Sequence, residues 1–231
     1  MITSPNQINT HKHTSLEEHN YNEMSDARKP YFFKRQIFSD SECDLLWSYW
    51  NEDECFVEDD VTPDSPWYKY FRELRSRKHM FLEGNFNSTP PKKGLLTEIP
   101  YDLLWLEKRI HYYVEQANKE CFYLDISFGL MSKQLMYYGV GDWFQPHDDT
   151  NHWDNHHYDR KLTIIIQLSD GEDYEGGYTT VGEPGEFEQP KHQKERGSIF
   201  IFPTFLTHAV SKITSGERKA FICWYIGPKF R

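Results

Sequence analysis

Two hydrophobic periods divide the chain. Before about residue 120 apolar residues recur every three or four positions, and from Cys121 onward they recur every two. Residues 31–38 read as a first strand. A helix follows, opened by the capping box Ser39-Asp40-Ser41-Glu42, with Leu45, Leu46, Tyr49 and Trp50 as its apolar face. Residues 101–119 form a second helix, with Leu103, Leu106, Ile110, Val114 and Ala117 along one stripe. The stretch between them carries Pro63, Pro66, Pro90 and Pro91 and reads as irregular, with one short strand around Met80. In the second half Phe122, Leu124, Ile126 and Phe128 alternate, as do Leu135 and Tyr137 against Met136 and Tyr138. Leu162, Ile164, Ile166 and Leu168 share one strand face, and Thr163, Ile165 and Gln167 the other. Residues 198–202 and 221–226 supply further strands, punctuated by glycine. The expected fold class is α+β and mainly β: a cupin-like, double-sheet jelly roll buttressed by the N-terminal helices.

Composition sharpens this picture. The aromatic content (7 Trp, 15 Tyr and 16 Phe in 231 residues) suffices for one sizeable core. Residues 1–29, rich in His, Asn, Ser and Glu without periodicity, read as a flexible tail. The expectation is therefore a single domain over residues 30–231, with 30–120 as helical and irregular support and 121–231 as the jelly-roll core. The net charge of -10 repels phosphate backbones and anionic lipid, so neither a nucleic-acid partner nor a membrane partner is expected. Two local basic clusters exist, Arg72, Arg75, Arg77 and Lys78, and Lys191, Lys194 and Arg196. The first is the better candidate for a wall facing a substrate. Four scattered cysteines form no metal or disulfide pattern, and no apolar run approaches the ~18 residues of a membrane span. The expected setting is cytoplasmic, with reduced thiols.

The candidate chemistry lies in the run from Tyr137 to Asp149. His147 and Asp149 are two residues apart, which on an extended chain points both side chains to the same side. A second histidine, His208, follows Pro203 and Thr204 in the strand pattern near the C-terminus. Two neutral imidazoles and one carboxylate on one face of an octahedron make the facial triad of oxygen-activating non-haem iron, with three positions left open. Two further His-x-Asp pairs, His152 with Asp154 and His157 with Asp159, compete on spacing alone. They fall in a polar loop, whereas His147 ends a strand after a Gly-x-Gly turn. His152, His156 and His157 are expected to be dispensable for iron, and Asp148 to point away from it.

These residues carry a resemblance. The run YGVGDWFQPHDDT (138–150), the segments 160–170 and 174–177, and the C-terminal blocks 197–204, His208, 216–218 and Trp224 keep their order over about 100 residues. Together they resemble the prolyl 4-hydroxylase-like Fe(II)/2-oxoglutarate dioxygenases, in particular the small hydroxylases of bacteria and phages. The resemblance implies a double-stranded β-helix core with Fe(II), 2-oxoglutarate and O2, and with ascorbate as a candidate auxiliary reductant. It also implies oxidative decarboxylation to succinate and CO2, coupled to hydroxylation of a C–H bond on a protein, a peptide or a small molecule. The chain departs from the family in carrying Gln167 where a tyrosine is common and Ala220 where Ser or Thr is common.

The distal carboxylate of 2-oxoglutarate needs a cation, and a guanidinium matches it in a bidentate fashion. Arg218 and its neighbour Lys219 are the candidates, and alternation allows only one to face the pocket. A two-residue turn at Ser215 and Gly216 would select Lys219. A three-residue loop through Glu217 would group His208 with Arg218, Ala220, Ile222 and Trp224, and the resemblance also selects Arg218. Tyr138 reads either as a hydrogen-bond partner of the keto acid or as a core tyrosine. Gln167, polar amid isoleucines, reads as a pocket residue, and Trp224 reads as site wall. Two other functions remain, a non-catalytic cupin-like metal-binding module and hydroxylation of a free amino acid or other small molecule. Asp149 argues against a halogenase, in which the carboxylate is missing so that halide can bind iron.

Overall fold

The computed structural model describes residues 30–55, 75–82, 101–127, 129–151, 157–183, 185, 186 and 188–230. The expected tail, much of the proline-bearing stretch, and His152 and His156 lie outside them. Twelve strands are described: β1 (Phe32–Lys34), β2 (Arg75–Ser76), β3 (Lys78–Phe81), β4 (Gly129–Tyr138), β5 (Trp143–His147), β6 (Tyr158–Gln167), β7 (Tyr174–Glu175), β8 (Thr179–Val181), β9 (Ile199–Pro203), β10 (His208–Val210), β11 (Ser215–Gly216) and β12 (Arg218–Pro228). The helices are α1 (Asp40–Trp47) and α2 (Leu104–Ala117). All described strand pairs are antiparallel. A six-stranded sheet runs β1-β9-β6-β12-β4-β3, a four-stranded sheet runs β2-β5-β10-β8, and β11 pairs with β7.

Alternation sorts the side chains into two cores. Leu135, Leu162, Ile164, Ile166, Phe221 and Cys223 leave the outer face of the large sheet and meet Leu106, Ile110, Val114 and Ala117 of α2 and Cys43 and Leu46 of α1. Each fully buried aliphatic side chain there contributes roughly 1.5–3 kcal/mol. The inner face carries Met136, Tyr138, Ile165, Phe200, Phe202 and Ala220, which meet Val181 and Val210 of the small sheet. Helices, large sheet, interior and small sheet thus form successive layers of a double-stranded β-helix. Its edge strands β1, β2 and β3 come from the segment read as support.

The capping box forms as expected: the Glu42 N–H donates to Ser39 Oγ (3.3 Å) and the Ser39 N–H to Glu42 Oε2 (2.9 Å). The helix ends earlier than its apolar pattern suggested. The Ser48 hydroxyl donates to the Leu45 carbonyl (2.7 Å), taking an acceptor that another turn would have used, so Tyr49 and Trp50 follow the helix end. The first strand is also shorter than residues 31–38. No strand forms over residues 122–127. α2 instead runs into a π-helical turn (Asn118–Phe122) closed by Tyr123 in the left-handed region. The Leu124 backbone satisfies both its groups on the Asn118 side-chain amide (2.8 Å each), leaving them unavailable for a sheet. The four cysteines are free, and burial pushes the Cys43 thiol up to about 11.

The expected hairpin between His208 and Arg218 is absent. β10 belongs to the small sheet and β12 to the large one, and the chain crosses between them through β11. Arg218 nevertheless faces inward, because Ala220 on the same face joins the inner core while Phe221 and Cys223 join the outer one. A double glycine beside β7 makes room for it. At Gly177 (φ +63) an added Cβ would lie 2.5 Å from Ile213 Cδ1 and 3.1 Å from Arg218 Cδ. Gly177→Ala is therefore expected to cost about 1–3 kcal/mol in stability through backbone strain and to displace the Arg218 side chain. Thermal denaturation checks this; an unchanged midpoint would show that the turn relaxes freely.

Candidate active site

The two histidines meet because of strand register. His208, the first residue of β10, is paired directly opposite His147, the last residue of β5. Directly opposed residues share a sheet face, and the two imidazole centroids lie 4.2 Å apart. Asp149 follows β5 and is tied by its backbone N–H to the Thr204 carbonyl (2.9 Å) beyond β9. Its Oδ1 lies 3.7 Å from His147 Nε2 and its Oδ2 3.3 Å from His208 Nε2. One ligand atom from each of the three residues falls within 4.8 Å of the others, a spacing at which a single metal ion could be held. The donor set fits Fe(II): two imidazoles, one carboxylate, and a cavity on the open side.

Hydrogen bonds around these atoms prepare them as ligands. His147 Nδ1 faces the Gln145 carbonyl (2.7 Å) and His208 Nδ1 faces the Leu206 carbonyl (3.1 Å). A carbonyl only accepts, so each Nδ1 carries a proton, and in the neutral form of each ring the Nε2 lone pair is directed to the centre. Phe144 stacks on His147 with centroids 3.6 Å apart, and Phe202 lies 4.8 Å from His208. Burial and the neighbouring His208 push His147 down to about 4, so it is neutral near pH 7. At Asp149 burial acts to raise the carboxyl. The charge and hydrogen bond of His208, with His147 and the Trp224 indole, outweigh this and hold it well below the usual carboxylate range. Burial lowers His208, but its bond to Asp149 more than restores it.

Thr163 was not singled out for chemistry by its pattern, yet its hydroxyl donates to Asp149 Oδ2 (2.8 Å). Outer-shell partners of this kind typically contribute ~10–100-fold in metal affinity. Thr163→Val is expected to weaken Fe(II) binding within that range while the fold persists. Competition with a chelator measures it, and an unchanged dissociation constant would exclude the role. The signal was a lone hydroxyl on a strand of isoleucines, which reads equally well as β propensity.

Arg218 lies deeper in the same interior and is buried. Its Nε donates to Gln167 Oε1 (3.2 Å) and its Nη2 to Thr179 Oγ1 (3.1 Å), and the guanidinium sits 5.4 Å from the Tyr138 ring centroid. No carboxylate pairs with it among the described residues. Gln167 Nε2 donates to the Tyr174 hydroxyl (3.1 Å) and the Ser169 carbonyl (3.1 Å). At the family's usual tyrosine position the chain thus places an amide that supports Arg218, and a tyrosine hydroxyl arrives from β7 instead. Lys219 points the other way, toward Glu217 (3.9 Å) and the Trp47 ring.

The open cavity, about 220 Å³, is bordered by His147, Asp149, His208, Tyr138 and Trp224, and also by Arg77, His79, Ser132, Gln134, Arg160 and Thr163. Arg218 and Gln167 do not border it; they lie behind Tyr138. Arg77 comes from the first basic cluster, the candidate substrate-facing wall. Arg160 was not anticipated, since its charge looked like part of a polar loop. Asp148 is exposed and Thr150 bonds its carboxylate, as its alternation required. His157 is exposed and Asp159 is occupied by the Phe230 N–H (2.6 Å), so neither joins the metal cluster.

The two antiparallel sheets close on the His-Asp-His set as a double-stranded β-helix. Residues 133–226 match the family model described as the 2OG-Fe(II) oxygenase superfamily. A PKHD-type hydroxylase from Parvibaculum lavamentivorans is 34% identical over 90 residues, and that segment spans 39% of this chain and 39% of the relative. The viral collagen prolyl hydroxylase of Paramecium bursaria Chlorella virus-1, solved with 2OG, superposes with a TM-score of 0.55 at 16% identity, covering 86% of this chain and 97% of that one. A prolyl hydroxylase from Trichoplax adhaerens, solved with a hypoxia inducible factor peptide fragment, gives 0.55 at 15% identity over 89% and 86% of the two chains. In fold the chain is similar to these prolyl hydroxylases, and over residues 133–226 its motifs are similar to those of the 2OG-Fe(II) oxygenase superfamily. Among the described residues no helix is long and apolar enough to cross a membrane.

Proposed function

We propose that the chain is an Fe(II)- and 2-oxoglutarate-dependent dioxygenase that hydroxylates an aliphatic C–H bond and releases succinate and CO2. One observation carries this reading. Three metal-type ligand atoms converge in the same interior as Arg218, a buried guanidinium without a carboxylate partner among the described residues. A buried unpaired cation is costly unless an anion completes it, and a keto acid that chelates a metal supplies such an anion at its far end. In this reading His147, Asp149 and His208 hold the iron, Arg218 holds the distal carboxylate, and Gln167 and Thr179 hold the guanidinium in position. Tyr138, which borders the cavity and lies against the Arg218 guanidinium, would contact the keto acid in this reading, and Trp224 would form the wall.

When bound, Fe(II) with 2-oxoglutarate supplies the activation of O2, which the protein cannot perform by itself. The chain's own residues orient and shield. Carbonyls 145 and 206 aim the imidazoles, Thr163 aims the carboxylate, and Phe144 and Phe202 keep water from the ring faces. The prolyl hydroxylase neighbours favour a protein or peptide side chain as substrate, with a free amino acid as the second reading. Residues 30–231 are proposed to act as one domain. The test is succinate formation by the Fe(II)-loaded protein with 2-oxoglutarate, O2 and ascorbate as auxiliary reductant, and its stimulation by peptides or by amino acids. Succinate no higher than in the metal-free control would remove the proposal.

A further inference from the structure

Two neutral polar side chains of β4, Ser132 and Gln134, border the cavity beside the metal ligands, and each residue is only 6% exposed. Neither side chain has a hydrogen-bond partner among the described residues. Burying a polar group without a partner is costly, so each such group in a folded protein asks for a reason. Gln134 stands opposite Ile222 of β12, with Met136 two residues further along its own strand, so its amide sits among apolar neighbours. The backbone is bent to bring Ser132 to the same wall. Its φ of 51° lies in the left-handed region, which a residue with a Cβ rarely adopts. From Ile222 to Trp224 strand β12 advances two residues, while their partners on β4, Gln134 and Met131, are three apart. The extra residue is a β-bulge. Its effect shows in the faces: Gln134 borders the cavity, but Leu130, four residues away, packs against the helix-covered core. An unbroken strand would put both on one face. Bulges are frequent next to active sites, where they re-aim a side chain, and strained residues cluster there too.

We propose that Gln134 and Ser132 bind an amide group of the primary substrate, close to the bond that is oxidised. This rests on the dioxygenase reading and adds its substrate class. The Gln134 side chain offers N–H donors and a carbonyl acceptor, and the Ser132 hydroxyl can do either. A substrate amide answers both needs at once. An ester or a carboxylate only accepts, so it leaves the Gln134 carbonyl unpaired once water is displaced. The amide can be a main-chain peptide unit or a side-chain carboxamide. The cavity, about 220 Å³, is smaller than the ~300–1,000 Å³ of most small-molecule sites. It therefore takes one such group with a few atoms around it, and the rest of the substrate stays outside.

The experiment is ligand-observed NMR on the protein loaded with 2-oxoglutarate and Zn(II), a redox-inert ion that allows binding without turnover. The probes are two matched pairs. N-acetyl-L-proline N′-methylamide against N-acetyl-L-proline methyl ester represents the peptide unit, and propionamide against methyl propionate represents the carboxamide. The amide should bind about tenfold tighter or more, the scale of one buried group left unpaired, and the pair with the larger ratio identifies the source. Gln134→Met, which keeps a long side chain but no amide, should abolish the preference. Ser132→Gly should reduce it several-fold with a thermal midpoint unchanged or higher, because glycine adopts the left-handed region without strain. Equal binding of amide and ester in both pairs overturns the proposal, as does binding by no probe. So does a preference that survives in Gln134→Met. Should that variant fail to fold, Ser132→Gly decides: an undiminished preference there would make the serine and its bulge purely structural and overturn the proposal. Fe(II)-loaded wild-type protein that forms no succinate from 2-oxoglutarate would instead strike the dioxygenase reading, so the two failures are distinguishable.

Discussion

Protein carrying His147→Ala or His208→Ala is expected to lose stoichiometric Fe(II) and with it all 2-oxoglutarate turnover, while remaining folded. Each imidazole is one of only three protein ligands, and the cross-strand pairing of His147 with His208 leaves no other imidazole in the metal cluster to replace it. Loss of a direct ligand should exceed the ~10–100-fold that changes to outer-shell partners cost. The fold should survive because both rings sit at the cavity, outside the helix-covered core built from Leu106, Ile110, Ile164 and Phe221. The check is iron content after gel filtration, together with the thermal unfolding midpoint. Stoichiometric iron in both variants would sink the assignment. Asn at His152, His156 and His157 is the companion experiment, and loss of metal there would mean that a different His-x-Asp pair binds it.

Arg218→Ala is expected to weaken 2-oxoglutarate binding by about 30-fold to several thousand-fold, or ~2–5 kcal/mol. Removing the guanidinium would leave the distal carboxylate buried against Gln167, Thr179 and the Tyr138 ring, none of which carries charge. Iron binding should persist, since the triad does not touch Arg218. The ligand-free protein should lose little stability, because a buried cation without an acid partner carries a desolvation cost that alanine removes. Lys219→Ala is the control. Lys219 faces Glu217 and Trp47 on the far side of the sheet and should leave the 2-oxoglutarate affinity near wild type. Titration of 2-oxoglutarate at saturating Fe(II) separates the two. Damage confined to Lys219→Ala would reverse the assignment, and damage in neither variant would place the distal carboxylate elsewhere, with Arg77 and Arg160 the next candidates.

How much of this was legible before any coordinates depends on the range of the interaction involved. The capping box of α1, the stripe of α2, the two faces of β6 and the pairing of His147 with Asp149 are local, set by side chains within four residues of one another. Periodicity and chemistry state them directly. The same local rules misread residues 122–127, because Asn118 competes for the Leu124 backbone and nothing in the alternation reveals it. Arg218 was reached through a hairpin that does not exist. The inward face was right because alternation along β12 holds whichever strand precedes it, while the register argument concerned strands that lie in different sheets. What only the tertiary structure decided are the meetings of distant segments: His208 opposite His147, Thr163 on Asp149, Tyr174 beside Gln167, and Arg77 and Arg160 on one cavity. Each joins strands whose pairing is set by global packing of the two sheets, a balance over the whole molecule that no window of sequence contains. The chain's own pattern thus determines which residues can be ligands and which way they face, and the closure of one sheet over the other determines which of them share a site.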